Sequence, residues 1–314
     1  MNTAQDIPYL SEETLAGLGI AIGDVIDSIE ALIRGSAQDT VWSAPKAVIL
    51  PSDGRYMMAA LAAMDDPSLL AVKTVVLNPR NSDKGLPQIN GLVTMLDSDT
   101  GLPLAILDGN WITAVRTAGL SAVAAKHMAR KDAAVCAFVG CGVQARSHLS
   151  AFAQLYPLEK IQAFGRGRAN IDRLCAVADE LGLSSEVCAS GEEAVEGADL
   201  VVTSVTYSAQ LEPFMDANWL APGCFAAITD LGAPWHRDSF SAFDQLAIDD
   251  LEQEAALPNK LAAPEHVTGD LSGLVLGKFK GRHRPTDRTG FIFRGHALGD
   301  LALSALAFQK FSDQ

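Results

Sequence analysis

Cysteine is scarce and unpatterned. The chain has five in 314 residues (Cys136, Cys141, Cys175, Cys188, Cys224), with no CxxC pair and no metal-ligand spacing to a histidine. That argues against a disulfide scaffold or a structural zinc site, and the odd count points to reduced thiols, mostly in the core of a cytoplasmic protein. Long apolar runs are also missing: none approaches the ~20 residues of a membrane-spanning helix. The N-terminal MNTAQDIPYL has no basic stretch ahead of an apolar one, so no secretory signal is expected. Positive charge is in deficit, with 24 Lys and Arg against 38 Asp and Glu, a net charge of −14. Such a field repels polyanions and no basic run stands out to reverse it, so neither nucleic acid nor a membrane is an expected partner.

What is present is the composition of a folded protein. Apolar residues make up 48% and charged residues 20%, which excludes global disorder, and the length suggests two domains. Residues 10–35 read as helices, with Ser11 as the first N-cap and Glu12 and Glu13 at the favourable end of the dipole. From Trp42 to Leu107 short apolar runs are punctuated by Ser52-Asp53-Gly54, Asp65-Asp66-Pro67, Asn78-Pro79 and Asp99-Thr100-Gly101. This is the spacing of a mixed or antiparallel sheet. One Ala-rich helix is predicted over 111–130. Strands and helices then alternate, with strands near 133–139, 160–164, 185–189, 199–205, 223–229 and 244–249 and helices that include 142–156 and 168–182. Alternation of this kind predicts a parallel sheet covered on both faces. An amphipathic helix is expected at 297–311.

The run AAVCAFVGCGVQARSHLSAF sets Gly140-x-Gly142-x-x-Ala145 between an apolar strand and a helix. Gly140 suits the tight turn, Gly142 lets a pyrophosphate approach the backbone, and Ala145 allows close helix–strand packing. The pattern predicts dinucleotide binding, with Val143, Gln144 and Thr203 as further candidate contacts. An acid is usual at the end of the second strand when the cofactor is NAD. Here IQAFGRGR supplies Arg166 and Arg168, a pair suited to a 2′-phosphate, so NADP is favoured over NAD.

Two cations stand in apolar company. Lys73 interrupts LLAVKTVVL, and Arg116 is the only charge between Asp108 and Lys126. Alone, such side chains more often snorkel or face an edge. Beside a cofactor domain, they match what a small carboxylate substrate needs for orientation.

The segment from KTVVLNPRN through DGNWITAVRTA to VGCGVQA, continued by EGADLVVTSVT, APGCFAAIT and GHALGDLA, closely resembles the ornithine cyclodeaminase/μ-crystallin family. The resemblance implies an α/β subunit. A Rossmann-type NAD(P)-binding domain would occupy 116–289, and an α/β substrate-binding and dimerisation domain 1–115 with 290–314. It implies hydride chemistry on α-amino or α-imino acids in a homodimer. Lys73 and Arg116 fall on the family's carboxylate-binding positions, Lys46 stands where many members have an arginine, Asn81 matches the asparagine of P-x-N, and Thr117 is placed for the cofactor phosphates. An ungapped match from the PG of APGCFAAITDLGAPW puts Gly232 on the catalytic aspartate of cyclodeaminases, with Asp230 two residues earlier. Lys73, Arg116 and Asp230 are therefore the candidate catalytic residues. Reduction of an α-imino acid is the expected reaction, with cyclodeamination or cofactor binding without turnover as alternatives. His296 is a conceivable proton donor, and Asp300 is read as a helix-start residue without chemistry.

Overall fold

Ser11 does cap the first helix: its Oγ accepts from Thr14 N at 3.2 Å. In the computed structural model, which describes residues 6–206 and 210–314, the chain divides into two compact units. Met1–Arg116 joins Ala297–Gln314 in the first, and Thr117–His296 forms the second. The expected boundary between 289 and 290 falls inside a strand of the second unit; the chain leaves that unit at His296.

The first unit starts with β1 (Tyr9–Leu10), α1 (Glu12–Gly17) and α2 (Ile22–Ser36). Strands β2 (Val41–Ile49), β3 (Tyr56–Met64), β4 (Leu69–Leu77), β5 (Ile89–Asp97) and β6 (Pro103–Asp108) follow, and the sheet order is β1-β6-β5-β4-β3-β2. β2 to β6 pair antiparallel; only β1 lies parallel to its neighbour. The turn-formers named above lie between or at the ends of these strands. In the last turn Asp97 Oδ1 accepts from Thr100 N at 2.7 Å. Successive side chains alternate between the two faces. Ala60, Ala62, Ala71, Val93, Met95 and Leu107 are buried on the face that α2 and the C-terminal helix cover. Leu61, Val76 and Leu92 stay exposed on the other.

α3 (Gly109–Met128) crosses from the first unit into the second. There β7 (Val135–Val139), α4 (Val143–Leu155), β8 (Lys160–Phe164), α5 (Arg168–Glu180), β9 (Ser184–Val187), α6 (Gly191–Val195), β10 (Leu200–Thr203), β11 (Phe225–Ile228), β12 (Gln245–Ile248), α7 (Leu251–Ala256), β13 (Gly269–Asp270), α8 (Leu271–Val275) and β14 (Thr289–Ile292) follow, and the strands build one sheet. Its order is β13-β12-β14-β11-β10-β7-β8-β9, parallel throughout. Six of these strands lie where the apolar runs predict. β14 was not expected, although it is fully buried between β11 and β12. Its four residues, TGFI, are too few to display a period.

The final helix, α9 (Ala297–Ser312), returns to the first unit. It is not the amphipathic helix expected, because every residue from Ala297 to Ala305 is buried. Its Ala, Gly and Ser positions let neighbours approach closely, and α2 packs on it, with Ser28 Oγ donating to Ala302 O at 3.1 Å.

A basic stretch also needs correction. Residues 278–288 contain Lys278, Lys280, Arg282, Arg284 and Arg288. Its arginines are spent internally. Arg282 donates to the carbonyls of Met128, Gly223 and Asp287, Arg284 pairs with Asp244 and Asp287, and Arg288 donates to Leu220 O.

Candidate active site

Lys73 lies on β4 between Ala60 and Val93, facing inward, and is 1% exposed. Its Nζ donates to Asp300 Oδ1 at 2.6 Å. Arg116 on α3 brings Nε to 2.9 Å from the same oxygen. Lys46, beside a bulge in β2, acts electrostatically on both Lys73 and Asp300. Three of the expected substrate-binding residues thus meet around Asp300, the acid to which sequence alone assigned no chemistry. The one available signal was its place as the only charge in a run of Ala, Gly, Leu and Ser.

Three cations, Arg116, Lys73 and Lys46, act on the one carboxylate of Asp300. Burial drives the Lys73 ammonium down to about 7, and Arg116 and Lys46 push the same way. Burial alone would raise the Asp300 carboxyl, but Arg116, Lys73 and Lys46 outweigh it and hold it below the usual range. Arg116 Nη1 is buried and has no acceptor among the described residues, and Nε, though paired in charge with Asp300, makes no aligned hydrogen bond either. A guanidinium in that state has desolvation uncompensated on one side.

In the second unit the glycine turn follows β7. Gly140 has φ +90°, and a Cβ there would meet Ser204 O at 2.6 Å, so the fold itself demands glycine. Gly142 is different. It has ordinary extended backbone, and a Cβ would find nothing within 4 Å. Its glycine makes sense for a ligand that must come close. Gly142 caps α4 without a side-chain hydrogen bond, leaving the first N–H groups and the positive end of the dipole available. Val143 is exposed at the start of α4, and Gln144 Oε1 is buried without a partner among the described residues. These features fit a dinucleotide, at the point where the sheet order reverses between β7 and β10.

The sequence profile of the ornithine cyclodeaminase/mu-crystallin family matches residues 13–314. The chain belongs to that family. It is 30% identical over 260 residues to the ketimine reductase mu-crystallin of Rattus norvegicus, covering 82% of this chain and 80% of the relative. It is 27% identical over 313 residues to the ornithine cyclodeaminase of Agrobacterium fabrum, covering 97% and 86%. Among solved structures, the Thermococcus litoralis Δ1-pyrroline-2-carboxylate reductase in complex with NADH and L-proline superposes with a TM-score of 0.89 at 26% identity, covering 98% of each chain.

The other residues expected from the family pattern lie in varied settings. Asn81 follows β4, half-buried, and donates to Pro87 O at 2.9 Å, which braces its own loop. Thr117 is buried next to Arg116 on α3. Arg166 and Arg168 are exposed after β8, and Arg168 is paired with Asp172 at 2.8 Å. Thr203 is fully buried, its hydroxyl donating to Asp230 Oδ1 at 3.1 Å and accepting from Trp235 Nε1 at 3.1 Å. Asp230 also accepts from Val205 N at 3.0 Å, and burial raises its carboxyl to about 6. Each of its oxygens therefore accepts a hydrogen bond from within the second unit. Gly232 stands at φ +67° in the turn that follows. His296 approaches Asp250 at 3.5 Å. His148, which no motif singled out, is fully buried, with burial lowering it to about 4. It ties Gln144 O on α4 to Ser121 on α3.

Proposed function

We propose that this protein is an NAD(P)H-dependent reductase of a small α-imino acid, a ketimine or a cyclic imine such as pyrroline-2-carboxylate, giving the α-amino acid. The observation that carries this reading is the buried cluster of Lys73, Arg116 and Asp300, in which Arg116 Nη1 lacks an acceptor among the described residues. A substrate carboxylate supplies the missing anion and binds a guanidinium through two parallel hydrogen bonds. Lys46 and Lys73 add charge, and Lys73, with its proton affinity near neutral, is suited to protonate the imine nitrogen. NAD(P)H, when bound, supplies the hydride. Gly142, Val143, Gln144 and Thr117 are the residues proposed to hold it, Gly140 shapes the turn, and Thr203 supports the crevice from beneath.

Cyclodeamination is the second reading. It has less support, because Gly232 occupies the expected aspartate position and Asp230 is already held by Thr203 and Val205 N. The deciding assay is a panel of imines given NADH and NADPH in parallel, with ornithine tested for ammonia release. Consumption of reduced cofactor with an imine supports the reductase. Ammonia release without net change in nicotinamide absorbance replaces it with a cyclodeaminase, and cofactor binding without turnover of either replaces it with a binding protein.

Arg166 and Arg168, with no acid at the end of β8, support NADP over NAD. Replacing both by alanine should weaken NADPH far more than NADH, and equal losses overturn that preference. The uncovered apolar face of the first sheet, with Leu61, Val76 and Leu92 exposed, supports a homodimer formed through it. Light scattering on Val76→Lys should then report a monomer.

A further inference from the structure

The imino-acid reading explains the excess of cations but not the acid among them. Asp300 competes with any substrate carboxylate for the same donors, so its presence needs its own reason. The geometry offers one. A single oxygen, Oδ1, lies 2.6 Å from Lys73 Nζ and 2.9 Å from Arg116 Nε. Asp300 on α9 therefore holds cations from β4 and α3 together, in a setting where all three side chains are buried. It lies beside the Nε edge of Arg116 as an ion-pair partner, without an aligned hydrogen bond. The opposite end of the fork, where Nη1 finds no acceptor, is left for a ligand.

We propose that Asp300 is the positioning residue of the carboxylate clamp: it orients Arg116 so that the far end of the guanidinium meets the substrate, and it keeps the ammonium on Lys73. This rests on the imino-acid reading above. The charged groups facing Lys73 are Arg116, Asp300 and Lys46, from α3, α9 and β2. Burial, Arg116 and Lys46 all favour loss of its proton, and Asp300 is the group that opposes them. Glu30 on α2, which packs against α9, is paired with Arg34 at 3.1 Å.

The test is Asp300→Asn, which keeps shape and removes charge, measured with Δ1-pyrroline-2-carboxylate and reduced cofactor across pH. Folding is checked by cofactor titration. At neutral pH, kcat/KM should fall about fivefold, the loss of charged Lys73 expected when a limb near 7 moves down by one pH unit, while KM should change little, since the amide oxygen still accepts in the same place. The basic limb of kcat/KM should move down by about one pH unit, a tenfold change in proton affinity, so that activity returns on acidification. An unmoved limb with kcat and KM impaired together overturns the proposal and leaves Asp300 a packing residue. Asp300→Ala provides a second measurement: formate should restore turnover and formamide should not. Equal restoration by both, or by neither, overturns it. If Arg116→Lys also leaves reduction untouched, the imino-acid reading itself has failed, and that outcome is distinguishable because it does not involve Asp300.

Discussion

Each unit buries an aspartate near its candidate site, and the two are treated in opposite ways. Asp230 in the second unit accepts from Thr203 and from Val205 N, while Trp235 completes the chain through the Thr203 hydroxyl. These partners all lie within the second unit, and none is a cation. Asp300 in the first unit faces three cations, and two buried Arg116 nitrogens, Nε and Nη1, lack a hydrogen-bond acceptor among the described residues. A satisfied polar network rigidifies its surroundings, whereas one left short of an anion is costly until a ligand arrives. The comparison separates scaffold from site more sharply than burial does, because both acids are almost fully buried.

The same contrast holds for the two glycines of the nucleotide turn, and there the largest effect is expected. Gly142→Val should abolish dinucleotide binding while leaving the fold intact, because no protein atom opposes the new side chain. Cofactor titration alongside thermal melting checks this; retained affinity would remove the crevice assignment. Asp230→Ala should act on stability instead, since it orphans the Thr203 hydroxyl and Val205 N. The cost is roughly 1–3 kcal/mol for each, read as a lower denaturant midpoint. Arg116→Lys keeps the charge and loses the fork. It should cost about 1.5–3 kcal/mol in kcat/KM, roughly 10- to 100-fold, with cofactor affinity little changed. If Asp230→Ala instead spared stability and Arg116→Lys spared turnover, scaffold and site would have to be exchanged.

The smallest effects are in pH dependence. If the Lys73 ammonium is the acid, kcat/KM should fall as pH rises through about 7. The corresponding limb of kcat should lie higher, because a bound carboxylate favours the charged form. The Asp230 carboxyl titrates near 3.8 in the unfolded chain and near 6 in the folded one. Between those values the unfolded state binds fewer protons, so this group's contribution to stability falls as pH rises. Asp230→Asn should flatten that part of the stability profile, and an unchanged slope between wild type and variant would place its cause elsewhere.

Much of this organisation is local and therefore readable along the chain. The Ser11 cap, the four turns of the first sheet, the tight turn at Gly140 and the alternation of β4 follow from backbone geometry and side-chain period over a few residues. Lys73 and Arg116 stood out for the same reason: each is a lone charge in an apolar run. The family pattern added Lys46, which composition would not have singled out. What sequence could not reach depends on distant parts of the chain. β14 is a strand because β11 and β12 flank it, and its four residues have no pattern of their own. Asp300 was legible only as the start of a helix, since its partner Lys73 is 227 residues away. Asp230 and Thr203 are candidate site residues on sequence, and that they hydrogen-bond one another emerges only where the turn after β11 meets β10. Local sequence determined which segments form and which residues are chemically unusual; tertiary structure decided which of those residues satisfy one another, because hydrogen-bond and charge balance is settled only once remote segments share the same buried space.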